Sequence, residues 1–486
     1  MAEIDKGGWA SPKHLPKGAM EEAAFDPANP KTAFTQLPQS PAVFALYGAD
    51  VHAEPYIGRT PNLRARLERL LQPSAMHPRR LQLAGFVRRI VWKLTGSEFE
   101  SLLLQFELLQ NQYGTKSLER MHLRAPAFVR FLGGNPYPRI VVTHRPSQRE
   151  GEWAYGPFAS RAAAERYADE ALKLFLLRRC TDDLDPNPSH PGCVYSEMKM
   201  CLAPCYKGCT DERYGEEAAA VEGFLATRGE SRLVTLRAER ERASADLEFE
   251  AAAALHAQVQ RVEQVRALAS ELVRPLSRLR AVVLQASANP DEVAVFLFEN
   301  GRLRGPVGFS TLGMRIQNEQ SGSTSLFAQP MAIEPVPEAT QAEQEGEDDR
   351  GLAKIRGESL AGAEAQVDFE EVSARLKSCP DTNPASLTAP EAGAPVPVKI
   401  ARSLLEARLE AVLAALVEPS SAPSPTVRQA HLALLKRWYY RPEARRSGEI
   451  FFPDAEDRWP IKAILRGVGR VAAKSLTTAR APQHNG

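Results

Sequence analysis

Residues 41–66 read PAVFALYGADVHAEPYIGRTPNLRAR. Within them Ala42 to Tyr47 and Glu54 to Ile57 each form a short apolar run, which predicts two strands. Asn62 to Leu71 follows with Leu63, Leu67, Leu70 and Leu71 on one helical stripe. A second helix is expected over Glu98 to Gln110, turning Leu102, Leu103, Phe106 and Leu109 inward. Two strands feeding helices predict a small mixed domain over residues 38–125, in a chain of α+β class.

Outward from this block the organisation changes. Residues 1–37 are rich in Pro, Lys and Ala and read as a loose tail. Over 126–228 a strand is expected at 137–145 and a helix at 160–177, followed by a cysteine-rich segment. Residues 229–268 are rich in Ala, Glu, Arg and Leu, which favours a helical hairpin. Residues 269–328 contain a β-meander, with turns at Asn289-Pro290 and Asn300-Gly301. An acidic, Pro-rich linker without enough apolar residues for a core spans 329–398, and a small helical region 399–486.

The 61 basic and 60 acidic residues nearly cancel, so net charge excludes little, but its distribution is uneven. Pro55 to Lys93 holds nine Lys or Arg against one acid, which suggests a polyanion partner. Met331 to Glu371 holds twelve acids against three bases. No stretch approaches the roughly 20 apolar residues of a membrane helix, and the amino terminus carries no apolar run of a secretory signal. A cytoplasmic protein is therefore expected, in which six cysteines serve as thiols or metal ligands.

The quoted block resembles the GIY-YIG nuclease pattern as proteins of the UvrC family, a subunit of bacterial excinuclease ABC, carry it. Pro41-Ala42-Val43-Phe44, Tyr56-Ile57-Gly58-Arg59 and Asn62-Leu63-Arg64-Ala65-Arg66 follow the family's order, with eleven residues between Phe44 and Tyr56. Glu100 to Gln105 (ESLLLQ) is similar to the family's Glu-Ala-Leu-Leu-Leu-Glu helix. The resemblance implies that Tyr56 and Arg66 handle proton and phosphate, with Arg59 where lysine is usual. It places the first catalytic tyrosine at Phe44 and the metal-holding glutamate at Gln105. Phenylalanine cannot relay a proton, and an amide is a poor ligand for a hard cation. Glu107 lies roughly 200° round the helix from Gln105 and cannot simply replace it. Efficient divalent-metal cleavage is thus not expected. Arg59, Arg64, Arg66, Arg69, Arg79 and Arg80 would hold DNA phosphates.

Tyr155-Gly156-Pro157-Phe158 precedes Cys180, Cys193, Cys201 and Cys205, which have twelve, seven and three residues between them. This is similar to the UvrC segment in which four cysteines hold an iron–sulfur cluster, so a cluster is implied. Spacing alone leaves tetrahedral zinc open. Leu236 to Val259 resembles the UVR motif, a helix pair that docks a like hairpin of UvrB. Leu236, Leu247, Phe249, Glu250, Leu255 and Val259 would then face a UvrB-like partner, because such a short hairpin cannot bury an apolar stripe by itself. The family's Arg-Asp after the alanines is His256-Ala257 here.

The resemblance covers roughly residues 38–310 and leaves no room for the acidic triad of the family's second nuclease domain. Gly467-Val468-Gly469 faintly resembles one DNA-binding hairpin, and Trp438, Tyr439 and Tyr440 among arginines could stack on bases. The expected function is a UvrC-like repair protein that binds DNA and a UvrB-like partner with impaired cleavage. An active single-cut endonuclease and a scaffold without DNA binding are the alternatives.

Overall fold

A computed structural model describes residues 20–50, 53–72, 83–145, 152–181, 183–312, 314, 402–417 and 423–480. The linker expected at 329–398, together with Arg79 and Arg80, lies outside these residues. Among the described residues no helix is long and apolar enough to cross a membrane.

The first sheet contains β1 (Glu21–Ala24), β2 (Ala42–Gly48), β3 (Tyr56–Thr60) and β4 (Val87–Leu94), antiparallel in the order β1-β4-β2-β3. Its helices are α1 (Pro30–Gln36), α2 (Leu63–Leu71), α3 (Glu98–Tyr113) and the single turn α4 (Ser117–Arg120). The Asn62 side chain caps α2 by accepting from the Ala65 N–H at 3.0 Å. The leucine stripe of α2 then closes over Phe44 and Leu46 of β2, with Phe34 and Leu37 at the end of α1. On the opposite face Leu104 and Leu108 of α3 cover Val43. The loose tail therefore does not extend to residue 37, since β1 pairs with β4 and Phe34 is buried. The second strand runs from Tyr56 to Thr60 rather than from Glu54 to Ile57, because Pro55 has no N–H to give a ladder. Arg88 and Arg89 of the basic block sit within β4, where Arg89 lies 4.7 Å over the Tyr47 ring and pairs with Glu22 at 3.3 Å.

The second sheet contains β5 (Ala127–Leu132), β6 (Ile140–Thr143), β7 (Glu152–Phe158) and β8 (Arg274–Pro275), in the order β6-β5-β7-β8. Against it pack α5 (Arg161–Leu172) and α7 (Asp211–Ala226), with the short α6 (Val194–Glu197) inside the cysteine segment. The helix expected to reach residue 177 stops at Leu172. Two antiparallel helices follow, α8 (Glu230–Ala245) and α9 (Phe249–Ala267).

The meander forms β9 (Ala281–Ala286), β10 (Glu292–Glu299) and β11 (Arg302–Ser310), with Asn300 and Gly301 both at positive φ in the second turn. The carboxyl-terminal region contributes α10 (Arg402–Leu416), α11 (Pro425–Tyr439), β12 (Glu449–Phe451) and α12 (Ile461–Arg480). That region is not helical alone: β12 pairs with β9 and completes a sheet ordered β11-β10-β9-β12. Alternating residues of the meander face opposite cores. Val282, Leu284, Val293 and Val295 meet Leu409 of α10 and Ile464 and Val468 of α12. Val283, Phe296 and Phe298 meet Leu435 and Trp438 of α11, and also Phe99 and Phe106 of α3. So α3 is packed on both sides, between the first sheet and the third.

Two expectations fall here. Gly467-Val468-Gly469 lies inside one uninterrupted helix, so it forms no hairpin. Trp438 is buried and donates from Nε1 to the Ser447 carbonyl at 2.8 Å, while the Tyr440 hydroxyl donates to the Pro157 carbonyl at 2.9 Å. These two aromatics close a core instead of offering faces to bases.

Candidate functional site

The pairing of β2 with β3 sets Phe44 opposite Gly58 and Leu46 opposite Tyr56. Phe44 is fully buried, its ring centroid 6.2 Å from that of Tyr56. A methyl group on Gly58 would stand 2.8 Å from the end of the Phe44 ring, so only glycine admits this packing. Gly58→Ala is expected to cost about 2 kcal/mol in urea denaturation. An unchanged midpoint would mean that Phe44 moves aside freely.

Arg66, on the first turns of α2, donates from Nη2 to the Tyr56 hydroxyl at 3.4 Å. Tyr56 and Gln105 line one open cavity of about 490 Å³ together with Ile57, Tyr113, Arg120 and His122. Phe44 is not among its lining residues. The structure thus brings Tyr56 to Arg66 through a hydrogen bond and to Gln105 across the cavity, and leaves Phe44 in the core. Glu107 does not line the cavity either. Burial pushes its carboxyl up to about 7, against the opposing pull of Lys93 and Arg302.

The arginines divide by their partners. Arg64 donates to the Leu37 carbonyl at 2.8 Å and the Thr35 carbonyl at 3.3 Å, so it ties α2 to the end of α1. Arg69 is exposed. Arg59 pairs with Glu98 at 3.5 Å, and Glu98 also accepts both guanidinium nitrogens of Arg441, at 2.7 and 2.8 Å. The Arg441 hydrogen bond holds the Glu98 carboxyl below its usual range, and burial lowers Arg59. Sequence reading missed the Glu98–Arg441 clamp, because no local pattern links residues 343 positions apart.

Among the cysteines, Cys205 is buried, while Cys180, Cys193, Cys201 and Cys209 are partly exposed. Burial raises the Cys201 and Cys205 thiols first, and the neighbouring sulfurs of the same group raise them further. Donors reach several of these sulfurs: Arg178 Nη1 lies 3.5 Å from Cys180 Sγ, the Ala203 N–H donates to Cys201 Sγ at 3.3 Å, and the Tyr206 backbone donates to Cys205. As they stand, no three of these side chains, among the described residues, make a ready metal-binding group. Yet thiols gathered beside an arginine and a backbone donor fit a sulfur-ligated centre chemically.

The hairpin of α8 and α9 is half embedded. Leu236, Val259, Val262 and Val265 are buried in the core of the second sheet, and Leu255 packs at its edge. Leu236 and Val259 are therefore held by this chain itself. At the turn, Leu247 is 69% and Phe249 is 68% exposed, and Glu250 is exposed beside them.

Residues 128–224, from β5 to α7 and including Cys180, Cys193, Cys201 and Cys205, match the family described as UvrC/Cho excinuclease, middle domain. The chain is UvrC-like. It is similar to the UvrABC system protein C of Alcanivorax borkumensis, 28% identical over 238 residues that cover 49% of this chain and 39% of that one. The corresponding protein of Ruminiclostridium cellulolyticum is 27% identical over 325 residues, covering 66% of this chain and 52% of that one. That of Saccharophagus degradans is 27% identical over 227 residues, covering 47% and 37%. This UvrC-like chain thus spans about half, or less, of these curated relatives. No solved structure matches it.

Proposed function

We propose that this UvrC-like chain binds DNA and a UvrB-like partner in nucleotide excision repair, and that its GIY-YIG-type site cleaves phosphodiesters poorly or not at all. One observation carries this reading: Gln105 of α3 brings an amide to the Tyr56 cavity at the position where the resemblance puts the metal-holding carboxylate, and the acid that does line this cavity, Glu119, comes from α4 instead. The tyrosine–arginine pair remains and can hold a phosphate, but no hydroxyl at Phe44 can take part in proton transfer. The test is nicking of supercoiled plasmid with Mg²⁺ or Mn²⁺, alongside Arg66→Ala. No nicking is expected from either protein. Cutting by the parent that Arg66→Ala abolishes would overturn the proposal. In the converse direction, Gln105→Glu is expected to give the cavity measurable Mn²⁺ binding by electron paramagnetic resonance.

The cysteine group is proposed to hold an iron–sulfur centre, with zinc as the alternative. Such a centre would cross-link the loop between α5 and α7. Anaerobically purified protein is expected to be brown and to contain iron. Zinc without iron would decide for the alternative.

The exposed turn of the hairpin supports docking of the UvrB-like partner there, through Leu247, Phe249 and Glu250. Phe249→Ala is expected to leave stability within about 0.5 kcal/mol, since the ring is exposed, and to weaken partner binding at least tenfold in a titration. Undiminished binding would remove the turn from the interface.

A further inference from the structure

We propose that a cationic groove, running from the Tyr56 cavity past residues 120–124 and along α11 to the start of α5, holds the phosphodiester backbone of a DNA strand. The proposal rests on the DNA-binding reading above and specifies where the strand lies. Three cavities lie in sequence along this path. The first, of about 490 Å³, contains Tyr56, Arg120 and His122. The second, about 270 Å³, shares His122 with it and adds Arg124, Lys436 and Arg437. The third, about 440 Å³, shares Arg124 and Lys436 with the second and reaches His144, Ser160 and Arg161. Each cavity thus has a wall in common with the next.

The charges along this path are lopsided. Glu119 is the one acid lining any of the three cavities. Arg120 is paired with Glu54 and Arg161 with Glu165. Arg124, Lys436 and Arg437 make no ion pair with a carboxylate among the described residues. Burial lowers the Lys436 ammonium, and Arg124 lowers it further, so like charges are held together where water is partly removed. Arg437 similarly opposes the charge of Arg59, while it also attracts the Glu98 carboxylate that both approach. Such crowding is unfavourable in the empty protein and becomes favourable when a polyanion lies across it. The amino end of α5, where the Ser160 side chain caps the helix, adds partial positive charge at the third cavity.

A chain of joined, open cavities with repeated cations fits a regularly charged strand better than an acidic peptide, which needs apolar or aromatic anchors held in a closed pocket. The groove is also continuous with the Tyr56–Arg66 pair, so a strand lying in it would pass the degenerate site. None of this is visible in sequence, because residues 120–124 and 436–437 meet only in the fold.

Fluorescence anisotropy of the full chain against a labelled 30-nucleotide single strand, and separately its duplex, tests the proposal over a salt series. Arg124→Gln/Lys436→Gln/Arg437→Gln is expected to bind at least tenfold more weakly at 0.1 M salt. Its slope of log affinity against log salt should fall by about 2, from roughly 0.7 per phosphate contact on a single strand. A loss in one arm assigns the groove to that form of DNA. Unchanged affinity and slope in both arms, with the parent binding DNA, would overturn this inference and leave the DNA-binding reading standing. No DNA binding by the parent would overturn both. Displacement of the strand by polyglutamate as readily as by unlabelled DNA, charge for charge, would also overturn the inference. Should the triple variant melt early, Arg124→Gln alone, at an exposed position, is expected to lower the slope by roughly 0.7. No change in that variant would count against the groove.

Discussion

Gly96→Ala is expected to destabilise the protein by about 3 kcal/mol, near the upper end for overpacking. Gly96 joins β4 to α3 at the point where the first sheet meets the meander. A Cβ there would lie 2.2 Å from the Ser287 carbonyl carbon, 2.3 Å from the Ala286 carbonyl oxygen and 2.5 Å from the Ala288 nitrogen. All three atoms are backbone at the end of β9, so no side-chain rotation can relieve the contact. The Gly96 N–H also donates to Glu100 at 2.9 Å, fixing the loop against α3. Either the loop or the strand end must shift, and with it the helix on which both cores depend. Urea denaturation checks this, with Gly215→Ala as the control, because nothing lies within 4 Å of that position on α7. Alanine in the middle of α7 should be neutral or stabilising by up to about 1 kcal/mol. Equal stability of Gly96→Ala and the parent would show that the two sheets do not meet this tightly.

Acid is expected to unfold the protein through His431, a buried residue of α11. Its Nδ1 accepts the Leu303 N–H at 2.9 Å, which requires a neutral ring. Burial, aided by Arg302, pulls its pKa down to about 3. The unfolded chain takes up the proton first, near pH 6.5, so stability is present above that pH and is lost as pH falls toward 3. The loss reaches roughly 3 kcal/mol by pH 4, at 1.36 kcal/mol per unit. Glu107 works against it. Its carboxyl, raised to about 7, favours folding when protonated, so its contribution grows as pH falls from 7 to 4.5. Between pH 6.5 and 4.5 the two slopes are equal and opposite, so the net loss falls below pH 4.5, where only His431 still titrates, and single variants separate them. Glu107→Gln should steepen the acid loss and stabilise the protein at pH 8 by about 1–3 kcal/mol. His431→Gln should flatten the acid limb. An acid limb unaltered by His431→Gln would remove His431 as its cause.

Much of the local structure was legible in the sequence. The leucine stripe of α2, the helix at Glu98 and the meander with its Asn300-Gly301 turn follow from periodicity and turn chemistry over a few residues. The cysteine spacing is read directly, and it is the resemblance that marks Phe44 and Gln105 as standing where a hydroxyl and a carboxylate are expected. The strands β1 and β12 were not legible, since three or four residues carry too little periodicity to register. Nor was the double burial of α3. Its near-continuous apolar run fits any buried helix and names neither neighbour.

The sequence by itself determined which chemical groups are present along each element, among them the bare ring at Phe44 and the amide at Gln105. Only the tertiary structure decided which of those groups meet. It clamped Glu98 to Arg441, used Arg64 to tie two helices, sank Leu236 and Val259 into this chain's own core, and brought Arg124 to Lys436. Contacts between residues tens to hundreds of positions apart are selected by burial and charge after the elements form. No spacing rule along the chain encodes them.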